Sequence, residues 1–278
     1  MQAPEQMCGE AERARAVPAR SQRLGLHALA RAPEPVVLVH GLGATMVDNW
    51  SYLSPLLADE GYCVFALTYG RHPLAPPPLR DQVGGLVRME ESAAELGAFL
   101  DRVLDATGAD RVDLVGHSQG SLMPTWYVRF LGGSVNVDDY VGLTPLWDGT
   151  QLAGIHLLRA ASRAFGLTPV EEALFAATCA SCRQFPTGSD FLAGINFGDG
   201  PAVPEPTYTM ILTRYDELVI PYTRGLMDTE NATNIVVQDV CPTDLSEHGA
   251  VAYDPVVGRL VLNALDPESA QPVSCIGA

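Results

Sequence analysis

The first regular pattern in the chain is Val36-Val37-Leu38-Val39, four apolar and mostly β-branched residues set between Pro35 and Gly41. A run with no polar alternation suits a strand covered on both faces, as in a parallel sheet. Trp50, Leu53, Leu56 and Leu57 then fall at helical spacing, Gly61 stops that helix, and residues 63–67 repeat the buried-strand pattern. Strand, helix and strand make a β-α-β unit. Residues 71–80 hold four prolines and are expected to be a loop. From 88 to 107, Leu96, Phe99, Leu100, Val103 and Leu104 line one face of a long predicted helix, and Gly108 supplies its left-handed stop. Further strands are expected at 111–115, 139–143, 208–213 and 234–238, with helical or irregular stretches between them rather than hairpin signals. The pattern predicts an α/β fold with a doubly wound, mostly parallel sheet spanning residues 35–278. An irregular segment, 1–34, precedes it, and an insertion or cap at about 146–206 covers the sheet's carboxyl edge.

Composition narrows what such a domain can do. The 278 residues exceed a usual single domain, yet α/β folds reach this length around one core. The apolar stretches are short and broken, so no segment approaches the roughly 20 residues of a membrane span, and a soluble protein is expected. A formal charge of −16, from 33 acids against 17 bases, repels polyanions and argues against nucleic-acid partners. A neutral substrate fits better. Every base is Arg and none is Lys, a skew that carries no chemistry.

Six cysteines, Cys8, Cys63, Cys179, Cys182, Cys241 and Cys275, permit three disulfides and an oxidising compartment; buried free thiols are the other reading. Residues 1–32 carry no continuous apolar run of the export-signal kind. An extracellular location is expected from the cysteines, with a cytoplasmic one as the alternative.

The chemistry centres on Val112-Asp113-Leu114-Val115-Gly116-His117-Ser118-Gln119-Gly120, a predicted strand running into Gly-x-Ser-x-Gly, and residues 121–131 can follow as a helix. The pentapeptide alone is a weak signal. Between strand and helix it becomes specific, because a sharp turn there lifts the serine above the sheet in a strained conformation. Gly116 and Gly120 are needed because side chains would collide in that turn. The serine also sits at a helix N-terminus, where free amides favour developing negative charge.

A serine hydroxyl needs a base and an orienting acid. His27 lies in the N-terminal segment, His40 after the first strand, His117 inside the turn, and His72 and His156 in loop or insertion. Only His248 follows the last predicted strand, where the order Ser, acid, His puts the base. The acid is expected at a strand end between them. Thr213-Arg214-Tyr215-Asp216-Glu217 offers Asp216, with Glu217 as nearest rival and Asp190, Asp199, Asp239 and Asp244 in less specific loops. Oxyanion donors are expected from the backbone amides of Gln119, next after the nucleophile, and Leu42 in His40-Gly41-Leu42-Gly43.

At these residues the chain resembles the class 2 lipases of the α/β-hydrolase superfamily, similar to the yeast lipase B type. The resemblance covers nearly everything after Glu34. It rests on His40-Gly41 with Asp48-Asn49-Trp50, on Glu60-Gly61-Tyr62-Cys63-Val64-Phe65, on Gly116-His117-Ser118-Gln119-Gly120 and on Thr213-Arg214-Tyr215-Asp216-Glu217. Val240-Cys241-Pro242 ahead of Ser246-Glu247-His248 completes it. It implies hydrolysis of triacylglycerol or related esters, with transient contact to a lipid surface and the three roles carried by Ser118, Asp216 and His248. It further implies that Cys241 pairs with Cys275, which would steady the loop bearing His248, and that Cys8 with Cys63 and Cys179 with Cys182 complete the set. Sequence alone selects none of the fifteen pairings, and Cys179-Ala180-Ser181-Cys182 also admits zinc or redox readings, though no second ligand pair appears.

No metal or organic cofactor is indicated. Ile155, Leu157, Leu158, Phe165, Leu167, Leu174 and Phe175 are rich enough to line an acyl pocket and equally suit plain core. Asn231-Ala232-Thr233 matches a glycosylation sequon and is read as incidental. The leading expectation is an esterase or lipase. An acyltransferase or polyester depolymerase would use the same three residues, and an inactive hydrolase fold serving as a lipid-binding module is the alternative from another class.

Overall fold

The computed structural model describes residues 34–74, 76, 79–151 and 161–275. Its centre is a six-stranded sheet of β1 (Val36–Val39), β2 (Val64–Leu67), β3 (Val112–His117), β4 (Val137–Leu143), β5 (Thr207–Leu212) and β6 (Ala232–Val236). The spatial order is β2-β1-β3-β4-β5-β6 and every pairing is parallel. All four residues of β1 are wholly buried, with Val37 and Val39 in one apolar layer and Val36 and Leu38 in the other. An unalternated apolar run is what burial on both faces demands.

Helices supply the two outer layers. On one face lie α3 (Met89–Thr107) and α5 (Pro124–Phe130), with Leu96, Phe99, Leu100 and Val103 of α3 joining Val37, Leu114 and Tyr140. Gly108 closes α3 at φ 71°, the left-handed stop expected of it. On the other face lie α2 (Leu53–Asp59) and α7 (Pro255–Leu265), whose Leu53, Leu57, Val257 and Val261 pack on Val36, Leu38 and Val141. The sheet is therefore doubly wound.

Several boundaries differ from the sequence expectation. The helix expected over 121–131 is two pieces, α4 (Gln119–Leu122) and α5, because Pro124 has no N–H to continue the first turn and starts the second instead. The last strand stops at Val236, and a short helix, Val237–Val240, takes over residues expected to be extended. A four-residue helix, Leu79–Gln82, begins within the proline-rich loop.

Among the described residues two disulfides are present, Cys179–Cys182 and Cys241–Cys275. Cys63 has no disulfide partner among the described residues, and Cys8, its expected partner, lies outside them. Ile155, Leu157, Leu158, His27 and His156 also lie outside. Of the residues weighed as pocket or core, Phe165, Leu167 and Leu174 are exposed, which removes the core reading for them. They belong to or precede α6 (Thr168–Thr178), a helix with no buried residue. No helix among the described residues is long and apolar enough to cross a membrane.

Candidate active site

Ser118 follows β3 directly and adopts φ 54°, ψ −118°, a left-handed conformation that costs a non-glycine residue on the order of 1–3 kcal/mol. The turn is as tight as its glycines imply. A Cβ at Gly116 would lie 2.0 Å from the Gly120 carbonyl oxygen, and one at Gly120 would lie 1.9 Å from that of Val39. The Ser118 amide is held by the Leu143 carbonyl at the end of β4 (2.9 Å), while Ser121 Oγ donates to the Ser118 carbonyl (2.6 Å). The hydroxyl is thus aimed by two neighbouring strands and the first turn of α4.

The structure brings Ser118, His248 and Asp216 together from positions up to 130 residues apart. His248 Nε2 lies 2.8 Å from Ser118 Oγ, and Nδ1 lies 2.9 Å from each carboxylate oxygen of Asp216. The imidazole and carboxylate side chains are 5 % and 2 % exposed, so the pair is shielded from water while the serine stays half-buried. Asp216 Oδ1 also accepts the amides of Leu218 (3.0 Å) and Val219 (2.7 Å), which fixes its plane. Glu217, the rival acid, accepts the backbone amide of His248 at 3.2 Å instead of its ring. Thr213 Oγ1, wholly buried, donates to the Ser246 carbonyl (2.6 Å) and ties the end of β5 to the histidine loop.

The amides of Leu42 and Gln119 have no hydrogen-bond partner among the described residues. Gln119 is the first residue of α4, where an amide is orphaned by helix geometry. The loop carrying Leu42 presses against the serine, since a Cβ at Gly41 would come within 3.4 Å of Ser118 Cβ. A strap that the sequence pattern does not reveal holds this loop. Gly43 N donates to the Gly84 carbonyl and Gly84 N to that of Ala44, both at 3.0 Å, while Gln119 Nε2 (3.0 Å) and Ser181 Oγ (2.6 Å) both donate to the Gly85 carbonyl. Ser181 lies between Cys179 and Cys182, so that disulfide sits at the foot of α6, docked beside Gln119.

His40 also acts on the loop. Its Nδ1–H donates to the Gly41 carbonyl (2.7 Å), its Nε2 accepts from Tyr69 N–H (3.3 Å), and its ring stacks on Tyr69 at 4.3 Å. Burial pushes its pKa down to about 4, so the ring is neutral at pH 7, as this donor and acceptor pattern requires. His72 joins the body to α6 by donating from Nε2 to the Ala176 carbonyl (3.3 Å). Neither histidine reaches Ser118.

A cavity of about 530 Å³ lies beside the site, lined by Ala44, Asn49, His117, Glu247, Ala250 and Tyr253 among others. The expected sequon places Asn231 with its Nδ2 already donating to the carbonyls of Val203 (2.8 Å) and Pro206 (2.9 Å). Among the described residues, it is Asp216 that bonds the His248 ring, not Asp190, Asp199, Asp239 or Asp244. The arrangement as a whole can raise a hydroxyl's nucleophilicity, hold the resulting imidazolium and receive an oxyanion.

Comparison with known proteins bears on the family and the fold. The family model described as Lipase (class 2) matches residues 33–260. A triacylglycerol lipase of Pseudarthrobacter phenanthrenivorans is 33% identical over 93 residues, a match covering 32% of this chain and 26% of that protein. The match thus spans about a quarter of that curated relative. Among solved structures, Aspergillus fumigatus lipase B superposes with a TM-score of 0.66 at 18% identity, over 87% of this chain and 54% of that one. The mature form of a Bacillus licheniformis lipase gives 0.60 at 14% identity, over 89% and 96%. At these identities the structural likeness shows the fold alone.

Proposed function

The chain belongs to the class 2 lipase family, and on that footing we propose that it is a serine carboxylic-ester hydrolase acting on lipid esters such as acylglycerols. The observation that carries the reading is the unbroken chain from Asp216 through the His248 ring to Ser118 Oγ, ending on a strained serine next to two amides that have no hydrogen-bond partner among the described residues. Ser118 Oγ attacks the ester carbonyl as His248 Nε2 takes its proton. The carbonyl oxygen gains negative charge, which the amides of Leu42 and Gln119 stabilise; one such donor is worth on the order of 100-fold or more in rate. The tetrahedral species expels the alcohol, protonated by His248, and leaves an acyl-serine. Water, deprotonated by the same imidazole, then releases the acid and restores the hydroxyl.

The substrate class is supported by family membership and by the exposed apolar side chains of Phe165, Leu167, Val170 and Leu174 on and before α6, which suit contact with a lipid surface. The two disulfides favour an extracellular location as part of the same proposal. The test is Ser118→Ala. Ester turnover and covalent labelling by an organophosphate are expected to vanish, and full activity in that variant sinks the reading. A rate series across p-nitrophenyl esters from acetate to palmitate, set beside emulsified triglyceride, then separates esterase from lipase.

A further inference from the structure

His117 is buried inside the turn that presents Ser118, and the reaction as proposed gives it no task. Its ring nevertheless touches both halves of the site. Nε2 lies 2.9 Å from the backbone carbonyl of His248, and Nδ1 lies 3.1 Å from Oδ1 of Asn49. That Asn49 oxygen accepts the amide of Gly41 at 2.9 Å, one residue before the oxyanion amide of Leu42. Two ties therefore meet at this ring: Asn49 Oδ1 holds the oxyanion loop at Gly41, and His117 Nε2 holds the backbone of the base, while Asn49 and His117 themselves touch by packing.

Both ties sit on rigid supports. Asn49 is the last residue of α1 (Met46–Asn49), whose start is fixed by a reciprocal cap between Thr45 and Asp48. Trp50 meets the His117 ring edge-on at 6.4 Å, and the His248 ring lies 5.4 Å away. Burial, with the neighbouring His248 adding to it, holds the His117 pKa at about 3, so the ring is neutral and carries one N–H. The carbonyl of His248 can only accept, so the proton belongs on Nε2, facing it. Gly41 N–H can only donate, so Asn49 Oδ1 belongs where it is. With the proton there, Nδ1 and Asn49 Oδ1 are both acceptors and share no hydrogen bond, so each of the two ties stands on its own partner.

We propose that His117 and Asn49 are positioning residues: His117 Nε2–H fixes the backbone of His248, and Asn49 Oδ1 fixes Gly41, so that base and oxyanion loop keep one spacing about Ser118. The inference rests on the ester-hydrolase reading above. Misplacing a reacting group by about 1 Å costs on the order of 100-fold, so loss of either tie is expected to lower kcat.

The experiment compares His117→Gln with His117→Asn, and adds Asn49→Ala. A Gln amide N–H falls near the place of Nε2, whereas an Asn amide falls near Nδ1 and leaves the His248 carbonyl unserved. The readouts are kcat and KM on a p-nitrophenyl ester and the rate of Ser118 labelling by diethyl p-nitrophenyl phosphate. His117→Gln is expected to keep kcat within about 3-fold of the unmutated protein, while His117→Asn and Asn49→Ala lose about 10- to 100-fold in kcat and in labelling rate at nearly constant KM. Equal kcat in the Gln and Asn variants, or an Asn49→Ala protein with unchanged kcat, overturns the inference. Turnover in the Ser118→Ala control would instead overturn the hydrolase reading itself, so the two failures are distinguishable.

Discussion

Asp216 and Glu217 are adjacent carboxylates serving one histidine, the first through its ring and the second through its backbone amide. Their substitutions should therefore separate. On the proposed mechanism Asp216→Asn removes the charge that stabilises the imidazolium and permits the wrong tautomer, so kcat is expected to fall by about 1,000- to 10,000-fold. Glu217→Gln keeps an oxygen that can accept from His248 N–H, and its loss in kcat is expected to stay below about 10-fold, a single hydrogen bond's worth. Steady-state kinetics on one soluble ester decides, and equal losses would mean that the two side chains exchange roles. At this scale the meeting of Ser118, Asp216 and His248 was legible because strand ends and chain order restrict which residues can arrive at one sheet edge. Asn49 and His117 were not legible, since their partners lie 68 and 131 residues away from His117 along the chain and nothing local marks the pairing. A histidine inside a glycine turn reads as turn filler until the carbonyl facing it is known.

Between elements, the least legible feature is the strap at Gly84 and Gly85. It has no hydrophobic period and pairs with the oxyanion loop through two backbone bonds, so the residues on either side announce nothing. The strands were readable for the opposite reason: a short unalternated apolar run leaves apolar area in water unless both of its faces are covered, and β1 matches its expected span. The ends of elements shifted where local chemistry intervened, at Pro124 and at the helix that begins at Val237. Gly84 offers a test of the strap. A Cβ there would lie 2.6 Å from Cε1 of His40 and 2.8 Å from the Tyr69 carbonyl oxygen, both fully buried groups with no room to retreat. Gly84→Ala is expected to displace the oxyanion loop, lowering kcat while destabilising the fold by about 1–3 kcal/mol, the usual cost of overpacking. Thermal unfolding and kcat measured on the same preparation check both effects, and unchanged values for both would show that the loop does not depend on this packing.

Across the whole molecule, a charge of −16 leaves carboxylates crowding one another, and at one place the crowding is buried. Asp113 on β3 is only 3 % exposed and accepts the amide of Asp139 on β4 at 3.2 Å, with Asp138 and Glu34 adding negative charge nearby. Burial, and then the charge of Asp139, pushes the Asp113 pKa up to about 8; burial likewise raises Asp139 to about 7. Both values lie above the unfolded value of 3.8, so between that pH and the raised values the folded protein binds more protons than the unfolded chain. Stability from this pair is therefore fully present below pH 3.8 and is lost progressively as pH rises from there to about 8. Asp113→Asn removes the ionisation while keeping an oxygen for the Asp139 amide. At pH 8 and above the variant is expected to be more stable by about 1–3 kcal/mol, the range for relieving an uncompensated buried polar group, and its advantage should shrink steadily toward about pH 4 as the native carboxyl regains its proton. Urea unfolding of both proteins at several pH values across that interval measures the difference. An advantage that stays constant across it, or that grows as pH falls, would show that ionisation of Asp113 is not what strains the sheet.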